Sequence, residues 1–466
     1  MEMYISIDFN NMMEEKIGRK HGIGDDEIDS FADQCKRIHN DILSKRSKGE
    51  LPFLDLPYQD IKGIMSLSDE ITSEFDNLLV LGIGGSALGP IALISALCHP
   101  FHNMLSRERR MGHSRVFVYD NVDPDAFLGL LEVIDLSRTA VNVVTKSGNT
   151  VETLAAFLII RERLRETVGK RYQRHIIVTT DPEKGSLRKI AEDEGYRTLS
   201  IPEKVVGRFS VLTPVGLFPA SVAGIDIEEL LNGAALMDKR CQELEAWRNP
   251  AQMTALLQYV TERKKGKKVT VMMPYSAALK DIADWFRQLW AESLGKRYDL
   301  SGKEVYTGQT TVKGLGVTDQ HSQLQLYMEG PNDKTIVFLK VERFTEPMEI
   351  PVAFQDMNDV SYICGHSLSE LINAEQRATE IALTKVKRPN MRIDMPELSP
   401  FTVGQLLYML EVQTIYAGGL YNINPFDQPG VEEGKKLTWG IMHRPGFEDK
   451  RQEVEDARKG NKKYII

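Results

Sequence analysis

Short apolar runs alternate with amphipathic stretches along the first half of this chain. Leu78–Leu81, Val116–Tyr119, Val141–Val144 and Ile176–Thr179 are aliphatic, β-branched or aromatic at every position except Asn142. Runs without polar alternation predict strands covered on both faces, as in a parallel sheet. Helical patterns follow at Pro90–Cys98, Thr150–Thr167 and Lys184–Asp193, and this alternation of strand and helix predicts α/β units. A helical stretch from Ile227 to Glu245 reads as a bridge. A second set begins at Lys267–Ser276 and includes Lys334–Val341. No repeat with a period of about 20–50 residues is evident, which argues against a solenoid. A chain of 466 residues exceeds the ~250–300 at which one core stops growing, so two domains are expected. The predicted division is a charged, helix-prone arm over 1–50 and an α/β domain with bridging helices over 51–245. A second α/β domain follows over 246–425, then a loop and charged terminal helix or tail over 426–466.

Two of the predicted strands end in loops suited to phosphate. LLVLGIGGSALGP (Leu78–Pro90) and VNVVTKSGNTVET (Val141–Thr153) each pass from a buried run to small and hydroxylated residues, then into a helix. Backbone N–H groups at a helix start lack intrahelical partners and carry partial positive charge, which favours an anion. Thr145, Lys146, Ser147 and Thr150 add three hydroxyls and one ammonium within six residues. A phosphate monoester, with three acceptor oxygens and about −1.5 to −2 charge, matches that set. Helix capping alone would use one hydroxyl. The first loop also carries G-x-G-x-x-A at Gly82, Gly84 and Ala87. The acidic candidate at the next strand end, Asp120, lies 38 residues after Gly82, against the ~20 of a dinucleotide site. A serine-hydrolase elbow, G-x-S-x-G, fails at Leu88. A tight turn without a ligand is the alternative for this loop taken alone.

Composition narrows the partners. The chain is 42% apolar and 27% charged, ordinary for a soluble globular protein. A net charge of −8, with no long Lys/Arg run, argues against nucleic acid, while a local basic pocket still admits a small anionic substrate. Cys35, Cys98, Cys241 and Cys364 form no C-x-x-C unit, so neither a disulfide framework nor a cysteine zinc site is indicated. MEMYISIDFNNMMEEK lacks the basic start and apolar core of a signal peptide. The apolar stretch Pro90–Cys98 falls far short of the ~20 residues of a membrane helix. A cytoplasmic chain with no membrane partner is expected.

Four further places carry candidate chemistry. DIADWFRQLWAESLGK, Asp281–Lys296, sets Ile282, Trp285, Phe286 and Leu289 on one helical stripe, with Gln288 and Glu292 stacked beside its edge. A carboxylate there has the surroundings a general base needs, although a solvated surface glutamate shows the same pattern. Arg208, in the Gly/Pro-punctuated VVGRFSVLTPVG, could offer an oxyanion a planar donor fork. His321, in VTDQHSQLQLYMEG, would not be singled out alone. NPFDQPGVEEGKK, Asn424–Lys436, is a turn-rich loop ending in a lysine pair.

Taken in order, GIGGSALGP, TKSGNTVET, GRFSVLTPVGL, QLWAESLGK with DQHSQLQLYMEG, and FDQPGVEEGKK resemble the glucose-6-phosphate isomerase (phosphoglucose isomerase) family in its compact bacterial and archaeal form. The resemblance runs from about Leu78 to Lys436. It implies an α/β fold of two sugar-isomerase (SIS) domains, each a mainly parallel sheet flanked by helices. It implies reversible isomerisation of glucose-6-phosphate and fructose-6-phosphate through a cis-enediol, in glycolysis and gluconeogenesis. Gly85, Ser86, Thr145, Lys146, Ser147 and Thr150 are then expected at the phosphate or adjacent sugar hydroxyls. Glu292 resembles the base, Arg208 the enediolate stabiliser, His321 and Lys435 the ring-opening pair, and Gln288 and Gln428 positioning groups. The resemblance implies no metal, no organic cofactor, and a homodimer in which His321 reaches the partner's active site. The alternative is a non-catalytic SIS-type protein that binds a sugar phosphate without turning it over; the basic helix-turn-helix module that usually accompanies one is not evident. Val206, Leu294 and Pro429 depart from the family pattern, which leaves the named catalytic groups in place and bears on sugar preference.

Overall fold

The apolar runs of the first half are strands of one sheet. The computed structural model describes residues 3–457, 460 and 462–466. It opens on a short strand, β1 (Ser6–Asp8). Then come β2 (Asn77–Leu81), β3 (Arg115–Tyr119), β4 (Thr139–Thr145), β5 (Ile176–Thr180) and β6 (Arg197–Ser200). These last five form a wholly parallel sheet in the order β3-β2-β4-β5-β6. Every position of β2, β4 and β5 is buried, as runs without alternation require. The order reverses between β2 and β4, because the chain leaves β2 for β3 on one side and returns to β4 on the other. Such a reversal opens a crevice beyond the carboxyl ends of the two strands. Both phosphate-type loops lie there.

The second half adds β7 (Val269–Pro274), an antiparallel pair of β8 (Lys296–Tyr298) and β9 (Glu304–Thr307), then β10 (Thr310–Lys313), β11 (Lys334–Arg343) and β12 (Asn390–Glu397). The second sheet runs β1-β12-β11-β7-β10 and is parallel except at β1. The 1–50 segment is therefore not helical throughout: its first strand pairs Asp8 opposite Arg392, and their side chains form an ion pair at 3.2 Å. Three residues are too few for a period-2 pattern to show.

Helix starts follow the turn chemistry. The first predicted helix begins earlier than its apolar run, at Gly85, and continues through Pro90 to Leu97. Proline in this interior position costs one hydrogen bond to the Ser86 carbonyl. The bridge helix stops at Cys241, short of Glu245; Asn249 then caps a new helix, Pro250–Lys265, by accepting the Gln252 N–H. Pro400–Tyr421 is buried along nearly all its length and packs on the Ile227–Cys241, Pro250–Lys265 and Lys280–Leu294 helices. It joins a core that holds residues of both sheets, among them Leu78, Val144, Met272 and Ile393. Glu411 within it is fully buried with neither carboxylate oxygen bonded among the described residues, and burial pushes it well above the ordinary carboxylate range. No helix among the described residues is long and apolar enough to cross a membrane.

Candidate active site

The β2 loop is shaped by close backbone approach. Gly84 holds φ at +57°, which glycine adopts without a Cβ clash. A Cβ on Gly84 would stand 3.0 Å from Gln288 Nε2, so Gln288 lies directly over the loop. A Cβ on Gly85 would fall 2.1 Å from the Gly207 carbonyl oxygen. Gly85 thereby lets the Gly85–Leu97 helix abut the Gly207–Phe209 turn and brings Arg208 beside the crevice. The Ser86 and Ala87 N–H groups, expected to be free for an anion, instead bond back to Ile83 and Gly84 at 3.2 and 3.0 Å. A tight first turn satisfies them. The half-buried Ser86 hydroxyl is this loop's side-chain donor.

The β4 loop gathers its hydroxyls. Thr145 Oγ1 lies 2.7 Å from Thr150 Oγ1 and 3.4 Å from Ser147 Oγ, and the last two are 3.3 Å apart. This triangle stands just before the Val151–Val168 helix. Gly148, at φ +68°, packs on Gly185, and Asn149 Oδ1 accepts the Ser186 N–H at 3.2 Å, tying the loop to its neighbour. Lys146 does not join the triangle. Its ammonium donates to the Glu203 carbonyl; burial lowers its pKa, while Asp181 and Glu203 pull upward.

The Lys280–Leu294 helix buries Ile282, Trp285, Phe286 and Leu289 as its stripe predicts, and adds Trp290 and Ser293. Gln288 Nε2 donates to Glu292 Oε2 at 3.0 Å, while Gln288 Oε1 is buried without a partner among the described residues. Arg208 is 3% exposed, and every edge of its fork is engaged. Nε donates to Ser293 Oγ at 2.7 Å, Nη2 to the Pro425 and Asp427 carbonyls at 2.5 and 3.2 Å, and Nη1 to Gln428 Oε1 at 3.1 Å. Nη1 also stands 3.6 Å from Glu292 Oε1. Burial pulls the Arg208 pKa down, opposed by Glu292 and Asp427; a guanidinium stays charged regardless. Lys296 Nζ donates to the carbonyls of Glu292 and Asp427, both at 2.8 Å.

Gln288, Glu292, Arg208 and Gln428 thus meet at one point, reached through Gly84 and Gly85. Ser293, Lys296 and the Asp427 backbone are additions that sequence reasoning missed. Ser293 had a signal: a polar residue four after Leu289, on the apolar stripe. His321 sits exposed in the short 3-10 turn Thr318–His321, and Lys435 lies on the Glu432–Ile441 helix, paired with Glu432 at 2.7 Å. Among the described residues neither bonds to Glu292, Arg208 or the hydroxyl triangle.

Residues 66–460 match the family model described as phosphoglucose isomerase. The chain belongs to that family. A glucose-6-phosphate isomerase of Carboxydothermus hydrogenoformans is 49% identical over 460 residues, 98% of either chain. The crystal structure of a hypothetical protein from Thermus thermophilus superposes with a TM-score of 0.84 at 36% identity, covering 94% of this chain and 100% of that one. A glucose-6-phosphate isomerase from Chlamydia trachomatis gives 0.73 at 25% identity, covering 85% and 76%. The three departures from the phosphoglucose isomerase pattern sit without strain. Val206 has ordinary extended backbone at φ −80° and ψ 155°. Leu294 is fully buried at its helix end, and Pro429 opens a 3-10 turn where its missing N–H costs nothing.

Proposed function

We propose that this chain interconverts glucose-6-phosphate and fructose-6-phosphate with Glu292 as the base. The observation that carries the reading is the Glu292–Arg208 pair. At 3.6 Å the two groups attract without the short hydrogen bond that would occupy the carboxylate. Gln288 orients Oε2, which leaves Oε1 for substrate. Glu292 takes the C2 proton of the open-chain aldose, and the electron pair moves to the C1 carbonyl oxygen as a cis-enediolate; O1 gains a proton as the C2 hydroxyl gives one up, so the charge passes from O1 to O2 by way of the cis-enediol. Return of the proton to C1 gives the ketose. Arg208, locked by Ser293, Pro425, Asp427 and Gln428, supplies fixed positive charge as the enediolate develops, with no reorganisation at that moment.

The phosphate belongs on Ser147, Thr150 and Thr145, with Ser86 from the neighbouring loop. Held there, far from the reacting carbons, it provides binding energy that orients the sugar. His321 and Lys435 open and close the ring. The chain works as a homodimer in which His321 comes from the partner, a reading supported by its exposure in its own chain.

A coupled assay presenting fructose-6-phosphate alone, and scoring glucose-6-phosphate and mannose-6-phosphate separately, tests the reaction. Glucose-6-phosphate should form without added metal or nicotinamide; ligand binding without product would refute the reading. The phosphate loop has its own test. Hydrogen bonds to a charged group are worth about 1.5–3 kcal/mol, so Ser147→Ala or Thr150→Ala should raise the Kd of a sugar phosphate about ten- to a hundredfold in calorimetry. Binding of the unphosphorylated sugar should scarcely change; equal losses for both ligands would misplace the site.

A further inference from the structure

Lys296 is a buried lysine just past the end of the helix that carries Glu292. Its side chain is 5% exposed. Burial and the nearby Arg208 push its pKa down, while Asp427 and Glu292 hold it up. An ammonium in such surroundings is tolerated only where its protons meet acceptors. It has the Glu292 and Asp427 carbonyls at 2.8 Å, with Asp427 Oδ1 at 3.5 Å. The Glu292 carbonyl lies in the last helical turn, where carbonyls lack intrahelical donors. Because Lys296 itself begins β8, its backbone does not continue the helix, and its side chain turns back to cap it. Asp427 is the other anchor. Its peptide oxygen also accepts Arg208 Nη2 at 3.2 Å, so two like charges converge on one atom of the 425–428 segment. The next residue, Gln428, grips Arg208 Nη1.

We infer that Lys296 is a positioning residue: it straps the 425–428 segment to the helix end that carries Glu292, and so keeps Gln428 and Arg208 in register with that carboxylate. The inference rests on Glu292 being the base. Without the strap, the hydrogen bonds among the described residues link Asp427 and Gln428 to the helix only through Arg208, and any drift of that segment carries the guanidinium with it. A displacement of about 1 Å costs on the order of a hundredfold in rate.

Lys296→Met keeps the apolar stem and removes the ammonium. Its kcat should fall about ten- to a hundredfold, with KM within about threefold, because the phosphate triangle belongs to the other sheet. Amide hydrogen exchange over 424–431 should quicken about tenfold or more in Lys296→Met and stay at the parent rate in Glu292→Gln. Lys296→Gln, an uncharged donor, should recover part of both losses. A folded Lys296→Met with kcat within about twofold of the parent overturns the strap, and so does lost kcat with parent-like exchange. Should the methionine variant not fold, Lys296→Gln decides by the same two readouts, with partial loss supporting the strap and parent-like values overturning it. If Glu292→Gln stays active, the base assignment falls, whereas the strap is still judged on exchange.

Discussion

Glu292→Gln should lower kcat by about 10²–10⁴-fold, the range general-base loss produces, and leave sugar-phosphate affinity near its parent value. The glutamine is isosteric, and its carbonyl oxygen still accepts from Gln288. Arg208 keeps Ser293, Pro425, Asp427 and Gln428, none of which depends on the carboxylate. What is lost is the capacity to accept a carbon-bound proton. Affinity should hold because the phosphate hydroxyls sit on β4 and its loop, in the other sheet. Steady-state kinetics paired with calorimetry on one preparation separates the two effects. A variant retaining more than about a third of parent kcat sinks the assignment.

Mixing inactive His321→Ala chains with inactive Glu292→Gln chains should restore activity at about a quarter of all sites. In a two-fold homodimer each site then draws His321 from one chain and Glu292 from the other. A hybrid dimer holds one site with both lesions and one with neither. Random exchange makes about half the dimers hybrid, which sets the recovered fraction. His321 is exposed and unbonded to the Glu292 group within its own chain, the condition a shared site requires. If both residues served one chain's site, every site would carry one lesion and none would recover. Mass spectrometry confirms exchange; exchanged yet inactive mixtures refute the shared site.

Where the predicted features and the structure part company, the reasons are physical. Four strands of the first sheet are legible as short, mainly apolar runs, whereas the edge strand β6, Arg197–Ser200, alternates half-buried and exposed positions and is not. Nor is β1, being three residues long and held by a pairing to Asp394–Arg392 far along the chain. The Pro400–Tyr421 helix is buried on every side, so no amphipathic period marks it. The family resemblance puts Gly85 at the substrate; the structure adds that two backbones touch there, a contact that spacing along the chain does not show. It also puts Lys146 at the phosphate or adjacent sugar hydroxyls; in the structure its ammonium donates to the Glu203 carbonyl, a partner that residue type does not mark.

The sequence by itself determined the family, the α/β class, the loop chemistry after β2 and β4, and the side-chain set of Gln288, Glu292, Arg208 and Gln428. These rest on residue type and short-range spacing, which any stretch of chain displays. Only the tertiary structure decided how that set is held. Arg208 reaches Pro425 and Asp427 across 217 and 219 residues, and Lys296 reaches Asp427 across 131. In each case the acceptor is a peptide oxygen. Every residue carries one, so no residue type announces it, and folding alone determines which one a buried cation finds.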